Sequence, residues 1–202
     1  MNYTTDLLFL LLGAFFGVLS SGLFWWVQQH YWAPKLAFSP DISKIKNPYT
    51  NKGWIYRIKM KNIGKRDIID IKIYARFSIL GQNFRNRKSI DIPLNFNQHP
   101  ILRKQRNRVI WLDTIPIPPQ DHCYFPELFK DKKNTPDFSD FLLYPQKARI
   151  FIYIFGHDSF SGSRKLFVSK KYNYSDIKLG KFSKFDFQIE EDTRDFFNWV
   201  EK

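Results

Sequence analysis

The run from Leu7 to Val27, LLFLLLGAFFGVLSSGLFWWV, carries no charged side chain. Wound as a helix at 1.5 Å per residue, it is about 31 Å long, the thickness of a bilayer's hydrocarbon core. No soluble fold of this size would leave such a run unburied, so it reads as a membrane-spanning helix. Trp25, Trp26, Tyr31 and Trp32 supply the aromatic girdle expected where a helix leaves the lipid. The preceding MNYTTD holds no Lys or Arg and no small-x-small cleavage site follows, which argues against a signal peptide. Asp6 is the one charge before the run, and Lys35, Lys44 and Lys46 follow it. The positive-inside rule then predicts an outer N-terminus and a cytoplasmic C-terminal domain at the plasma (inner) membrane, with a boundary between residues 1–33 and 34–202. Gly13 and Gly17 form a small-x-x-x-small pair that Ser20 and Ser21 continue. Such a stripe lets helices approach closely in lipid, and an assembly of them would place Asp6 as a ring at the outer mouth of any pore.

Beyond Pro34 the pattern changes to period two. In GWIYRIKMKN, Tyr56, Ile58 and Met60 alternate with Arg57, Lys59 and Lys61. In IDIKIYARF, Ile69, Ile71, Ile73, Ala75 and Phe77 alternate with Asp70, Lys72, Tyr74 and Arg76. Both read as strands with one buried face, and NIGKRD between them has hairpin-turn chemistry. SIDIPL, RVIWLDTI, ARIFIYIF and KLFVSKKY are further strands, and Ile150–Phe155, apolar on both faces, reads as central. The terminal EEDTRDFFNWVEK reads as a short helix capped by Asp192 or Thr193. The expected fold is mainly β: one transmembrane helix followed by a β-sandwich.

Lys and Arg number 32 against 19 Asp and Glu, a net charge of +13 that favours anionic partners. The cations cluster in three places: Arg103, Lys104, Arg106 and Arg108; Arg85, Arg87 and Lys88; and Arg57, Lys59, Lys61, Lys65 and Arg66. Each cluster could hold phosphates, with Phe84, Phe96 and Trp111 near enough in sequence to stack on bases, or could attract the acidic inner leaflet. Cys123 is the lone cysteine, which rules out an intrachain disulfide. His30, His99, His122 and His157 are scattered and match no metal-ligand spacing. FGHDSFSGSRK brings His157, Asp158, Ser159 and Ser161 together, but residues so close on a turn rarely converge as a triad, and there is no GxSxG elbow. The expectation is therefore no enzyme and no cofactor.

Several of these stretches resemble the cytoplasmic domain of inwardly rectifying potassium channels. PKLAFS resembles the link from inner helix to domain. YRIKMKNIGKRDIIDIKIYARF resembles the first strand pair through Arg57, Asn62, Asp70 and Arg76. FGHDSFSGSRKLFVSKKYNYSDIKLGKF resembles the closing pattern through Gly156, Asp158, Tyr172, Asp176, Ile177, Gly180 and Phe182. The resemblance implies an immunoglobulin-like β-sandwich, assembly as a homotetrameric ring, and His157 and Asp158 lining the central axis. The second membrane helix and the Thr-x-Gly-Tyr-Gly filter have no counterpart here, so carbonyl-ring selectivity does not carry over. In general plan the chain also resembles bacterial antiviral membrane effectors, some of which answer nucleotide or DNA signals. The function so implied is an oligomeric channel-like or pore-forming effector, gated by a nucleotide or oligonucleotide on its basic ring. The alternative is a non-conducting, membrane-tethered module that contacts acidic lipid or a protein partner.

Overall fold

Alternating side chains along the β-rich region build two five-stranded sheets over one shared apolar core. The structure is a computed structural model and describes residues 3–47, 53–80, 87–92, 94, 96–112, 138–143 and 148–190. Helix α1 (Tyr3–His30) is followed by β1 (Leu36–Phe38), β2 (Ile42–Lys46), β3 (Trp54–Asn62), β4 (Ile68–Leu80), β5 (Arg87–Ile92), β6 (Gln98–Leu102) and β7 (Asn107–Leu112). The short helix α2 (Phe138–Leu143) precedes β8 (Arg149–Asp158), β9 (Arg164–Val168), β10 (Ile177–Leu179), β11 (Lys181–Phe182) and β12 (Ile189–Glu190).

In the first sheet β3 pairs with β7 along one edge and with β1 and β2 along the other, and β10 adds in parallel to β2. In the second, β4 pairs with β8 on one side and with β5 and β6 on the other, and β9 borders β8. Tyr56, Ile58, Met60, Ile110 and Leu112 of the first sheet face Ile73, Ala75, Phe77, Ile152 and Ile154 of the second in one buried cluster. Phe138 and Phe141 of α2 close one end of it, with ring centroids 4.7 Å (Phe138 to Tyr56) and 5.9 Å (Phe141 to Phe77) apart. Tyr172 is fully buried and donates its hydroxyl to the Ser39 carbonyl at 2.7 Å.

Two expectations are corrected. The strands flanking NIGKRD do not form a hairpin: β3 and β4 lie in different sheets, and the segment crosses between them. Gly64 explains the diversion, because its backbone packs directly on Pro34 and Lys35, where a Cβ would collide. Asn62, itself fully buried, turns its side-chain amide to the Arg66 and Leu102 carbonyls. In β4 it is Ile68 that enters the core, while Ile69 is only half-buried. A bulge between Ile69 and Lys72, with Asp70 at φ 49°, resets the alternation so that Ile71 onward faces in as expected. β8 is central, between β4 and β9. Of EEDTRDFFNWVEK, Glu190 ends β12 and the remainder, 191–202, lies outside the described residues.

α1 is 28 residues long, and its apolar side chains from Leu7 to Trp26 are exposed, as lipid contact requires. The chain is thus mainly β, with one N-terminal helix long and apolar enough to span a membrane.

Candidate membrane-proximal site

Three connections converge where α1 ends: β3–β4 (63–67), β6–β7 (103–106) and β8–β9 (159–163). Asn62 joins the first two, donating its amide to Arg106 O at 3.0 Å and accepting from the Gln105 amide at 2.9 Å. Asp67 joins the second and third: its carboxylate takes the Lys104 amide at 2.7 Å and its carbonyl the Ser159 amide at 3.2 Å. The helix exit is stitched to the same group, since Ile63 and Gly64 both donate to Lys35 O, at 2.8 and 3.2 Å. Lys65 places its ammonium 3.4 Å from the centre of the Tyr31 ring, a cation–π contact.

Arg66 is the hub of this junction. Its guanidinium pairs with the Asp158 carboxylate at 3.0 Å, hydrogen-bonds the Gln28 side chain on the last turn of α1, and lies 4.4 Å from the Phe160 ring centre and 5.9 Å from that of Trp32. Asp158 is 1% exposed. Burial pushes its carboxyl upward, but the Phe160 amide, the Arg66 guanidinium and the Ser161 hydroxyl outweigh this and hold it below the usual carboxylate range.

The expected site residues therefore separate. Lys65, Arg103, Lys104 and Arg106 are exposed at the helix-exit end, Arg108 is exposed on β7 nearby, and Lys61 is half-buried. Lys59 is only 3% exposed and clasps the β11–β12 hairpin, donating to the Ser183, Lys184 and Asp186 carbonyls at 2.5, 3.2 and 2.7 Å. Its place in an anion-binding surface is corrected: period two aims it outward from β3, and the hairpin covers that face. Arg57 is turned to Ser43 at 2.9 Å. Asp158 is likewise corrected from an axis-lining residue to a buried ion-pair partner. His157 is one-third exposed, with Nδ1 3.6 Å from the Asp70 carboxylate. Arg85 and Phe84 lie outside the described residues, and β5 carries Arg87 and Lys88 without described side chains. Gly13 and Gly17 have open space around them within the single chain, and Asp6, Ser20 and Ser21 are exposed. Trp111 sits across from Arg57 on the first sheet, and Phe96 is exposed.

Sequence reasoning did not find the Arg66–Asp158 pairing, because the two are 92 positions apart. The readable signal was that each sits in a short polar connection between strands.

No family model matches the chain, and neither does any curated protein. Among solved structures it aligns with Spo0M, a sporulation control protein from Bacillus subtilis, at 12% identity and a TM-score of 0.34, over 72% of this chain and 49% of that one. The chain thus spans about half the length of that protein.

Proposed function

We propose that this is a single-pass membrane protein whose immunoglobulin-like β-domain is seated on the acidic inner leaflet as a membrane-tethered binding module. The observation that carries the reading is the direct packing of the basic turns on the helix exit. Tyr31 lies four residues past Val27, about 6 Å along a helix, and each headgroup layer is itself about 5–8 Å deep. Groups that touch Tyr31, Trp32 and Lys35 therefore stand at headgroup level. Lys35, Lys65, Arg103, Lys104 and Arg106 supply charge there, each worth about 1 kcal/mol near an anionic surface. Exposed Ile63 and Phe160 add apolar contact. The test is amide exchange on the full chain in nanodiscs of neutral or 30% anionic lipid. Residues 63–66, 103–106 and 159–163 are expected to exchange more slowly in the anionic discs, and Arg103→Glu/Lys104→Glu/Arg106→Glu to abolish the difference. Equal exchange in both lipids refutes the reading.

A second reading, a homotetrameric or other assembly whose β-domains gate a pore, is favoured by one observation. Arg66 ties the domain directly to the last turn of α1, so a ligand-driven shift of the domain would move the helix. In this reading Gly13, Gly17, Ser20 and Ser21 form the packed seam. Gly13→Leu/Gly17→Leu is expected to stop dye leakage from vesicles bearing the protein, and unchanged leakage, or none from the parent chain, removes it.

A further inference from the structure

The outer face of the second sheet carries a pattern that no motif announced. The register aligns Arg76 with Phe151; Tyr74 with Tyr153 and Val168; Lys72 with Phe155 and Leu166; and His157 with Arg164. Even-numbered Ile150, Ile152 and Ile154 of β8 are buried, and odd-numbered Phe151, Tyr153 and Phe155 line the opposite face. Tyr74, Leu166 and Val168 are 45, 53 and 47% exposed. No described element covers these rings. Tyr74 and Phe155 meet edge to face at 5.6 Å, and Phe151 and Tyr153 lie nearly parallel at 6.2 Å. Cations sit among them: the Arg164 guanidinium is 4.7 Å from the Phe155 centre, and that of Arg76 is 5.6 Å from Tyr153 while also pairing with Asp91 at 2.6 Å.

We infer that this face binds single-stranded nucleic acid, with bases stacked on Tyr74, Tyr153 and Phe155 and phosphates held by Lys72, Arg76 and Arg164. Rings two residues apart on a strand are spaced by about 6.6 Å and present a row of platforms. Every base offers a π-face to such a row, and Arg or Lys between the rings neutralises the backbone. A duplex hides its bases from a flat face of this kind. A second copy of the chain is disfavoured, because Lys72, Arg76, Arg149 and Arg164 outnumber Asp70 and Asp91 and would meet their like. The rings lie up β8 from the lipid-facing turns: Phe155 is three residues and Tyr153 five from Asp158, about 10 and 16 Å, while Arg164 borders the 159–163 turn. The inference is independent of whether those turns touch lipid.

The experiment is anisotropy of fluorescent 12-mer oligo(U) and oligo(dT) titrated with the full chain in micelles, over a salt series. The parent chain is expected to bind, more weakly as salt rises, and excess duplex not to compete. Tyr74→Ala/Tyr153→Ala/Phe155→Ala is expected to lose about tenfold per ring, and Tyr74→Phe/Tyr153→Phe to retain affinity. Because the alanine triple can perturb the sheet, Lys72→Glu/Arg164→Glu provides a surface-only variant, expected to weaken binding and flatten the salt dependence. No binding by the parent chain, equal competition by duplex, or unchanged affinity in both variants overturns the inference. So does a ring variant that changes only the particle mass, which would make the face a self-association surface.

Discussion

Arg66 and Asp158 do at the scale of single residues what an anchor demands of its first contact with the domain. A buried ion pair gains little over an apolar pair of the same volume, but removing one partner leaves a charge stranded. With Asp158 at 1% exposure, Arg66→Ala is expected to cost about 3 kcal/mol of β-domain stability, measured by urea unfolding in micelles. Asp158→Asn, which keeps the shape and removes the charge, is expected to cost less. Because the Asp158 carboxyl titrates below its ordinary value, its stabilising contribution is complete above about pH 4 and fades as pH falls further. A melting-temperature series from pH 7 to pH 3 is expected to show an acid limb that Asp158→Asn makes shallower. An unchanged limb would mean that other carboxylates govern it. Tyr172 offers a quieter comparison, since its hydroxyl donates to the Ser39 carbonyl in the core; Tyr172→Phe is expected to cost about 1 kcal/mol in the same assay.

At the scale of elements, the β11–β12 hairpin is held against the first sheet by Lys59, by the Asn107 amide on Lys184 O at 2.9 Å and by the Ser43 hydroxyl on Gly180 O. Gly180 allows the tight entry: at φ 133° it passes beneath Glu190, where a Cβ would strike the carbonyl. Lys59→Met removes the hydrogen bonds to three carbonyls at once, so limited proteolysis is expected to cut within 181–190 first in that variant. Equal cleavage of variant and parent would show that the clasp is dispensable. The strands themselves were legible in sequence, because alternation over β3 and β8 is a direct imprint of one core face. Their partners were not. Whether NIGKRD closes a hairpin or crosses between sheets depends on Gly64 docking against Pro34 and Lys35, a contact across 29 positions that local turn chemistry does not encode. The aromatic row on β8 was hidden for a related reason: beside three isoleucines, Phe151, Tyr153 and Phe155 read as more core until pairing shows that they share the face opposite Ile150, Ile152 and Ile154, which no described element covers.

Over the whole molecule, the strands set up two ends. Asn62, Ile68, Leu102, Asn107 and Asp158 gather at the helix exit, and α2 packs Phe138 on Tyr56 and Phe77 at the far end. The cations that looked like one undifferentiated basic surface in sequence are thus sorted by the fold. Lys59 is spent on an internal hairpin, Arg66 on the junction with α1, and the 103–106 turn is left exposed beside the helix exit. A depth measurement tests most directly whether this end of the domain lies in the headgroup layer. A spin label at Phe160→Cys in a Cys123→Ser background, with the chain reconstituted in vesicles containing 30% anionic lipid, reports its depth through oxygen and nickel-chelate collision. The label is expected at the headgroup boundary, moving into water when Arg103, Lys104 and Arg106 are all changed to Glu. A label fully in water in the parent chain would contradict that placement.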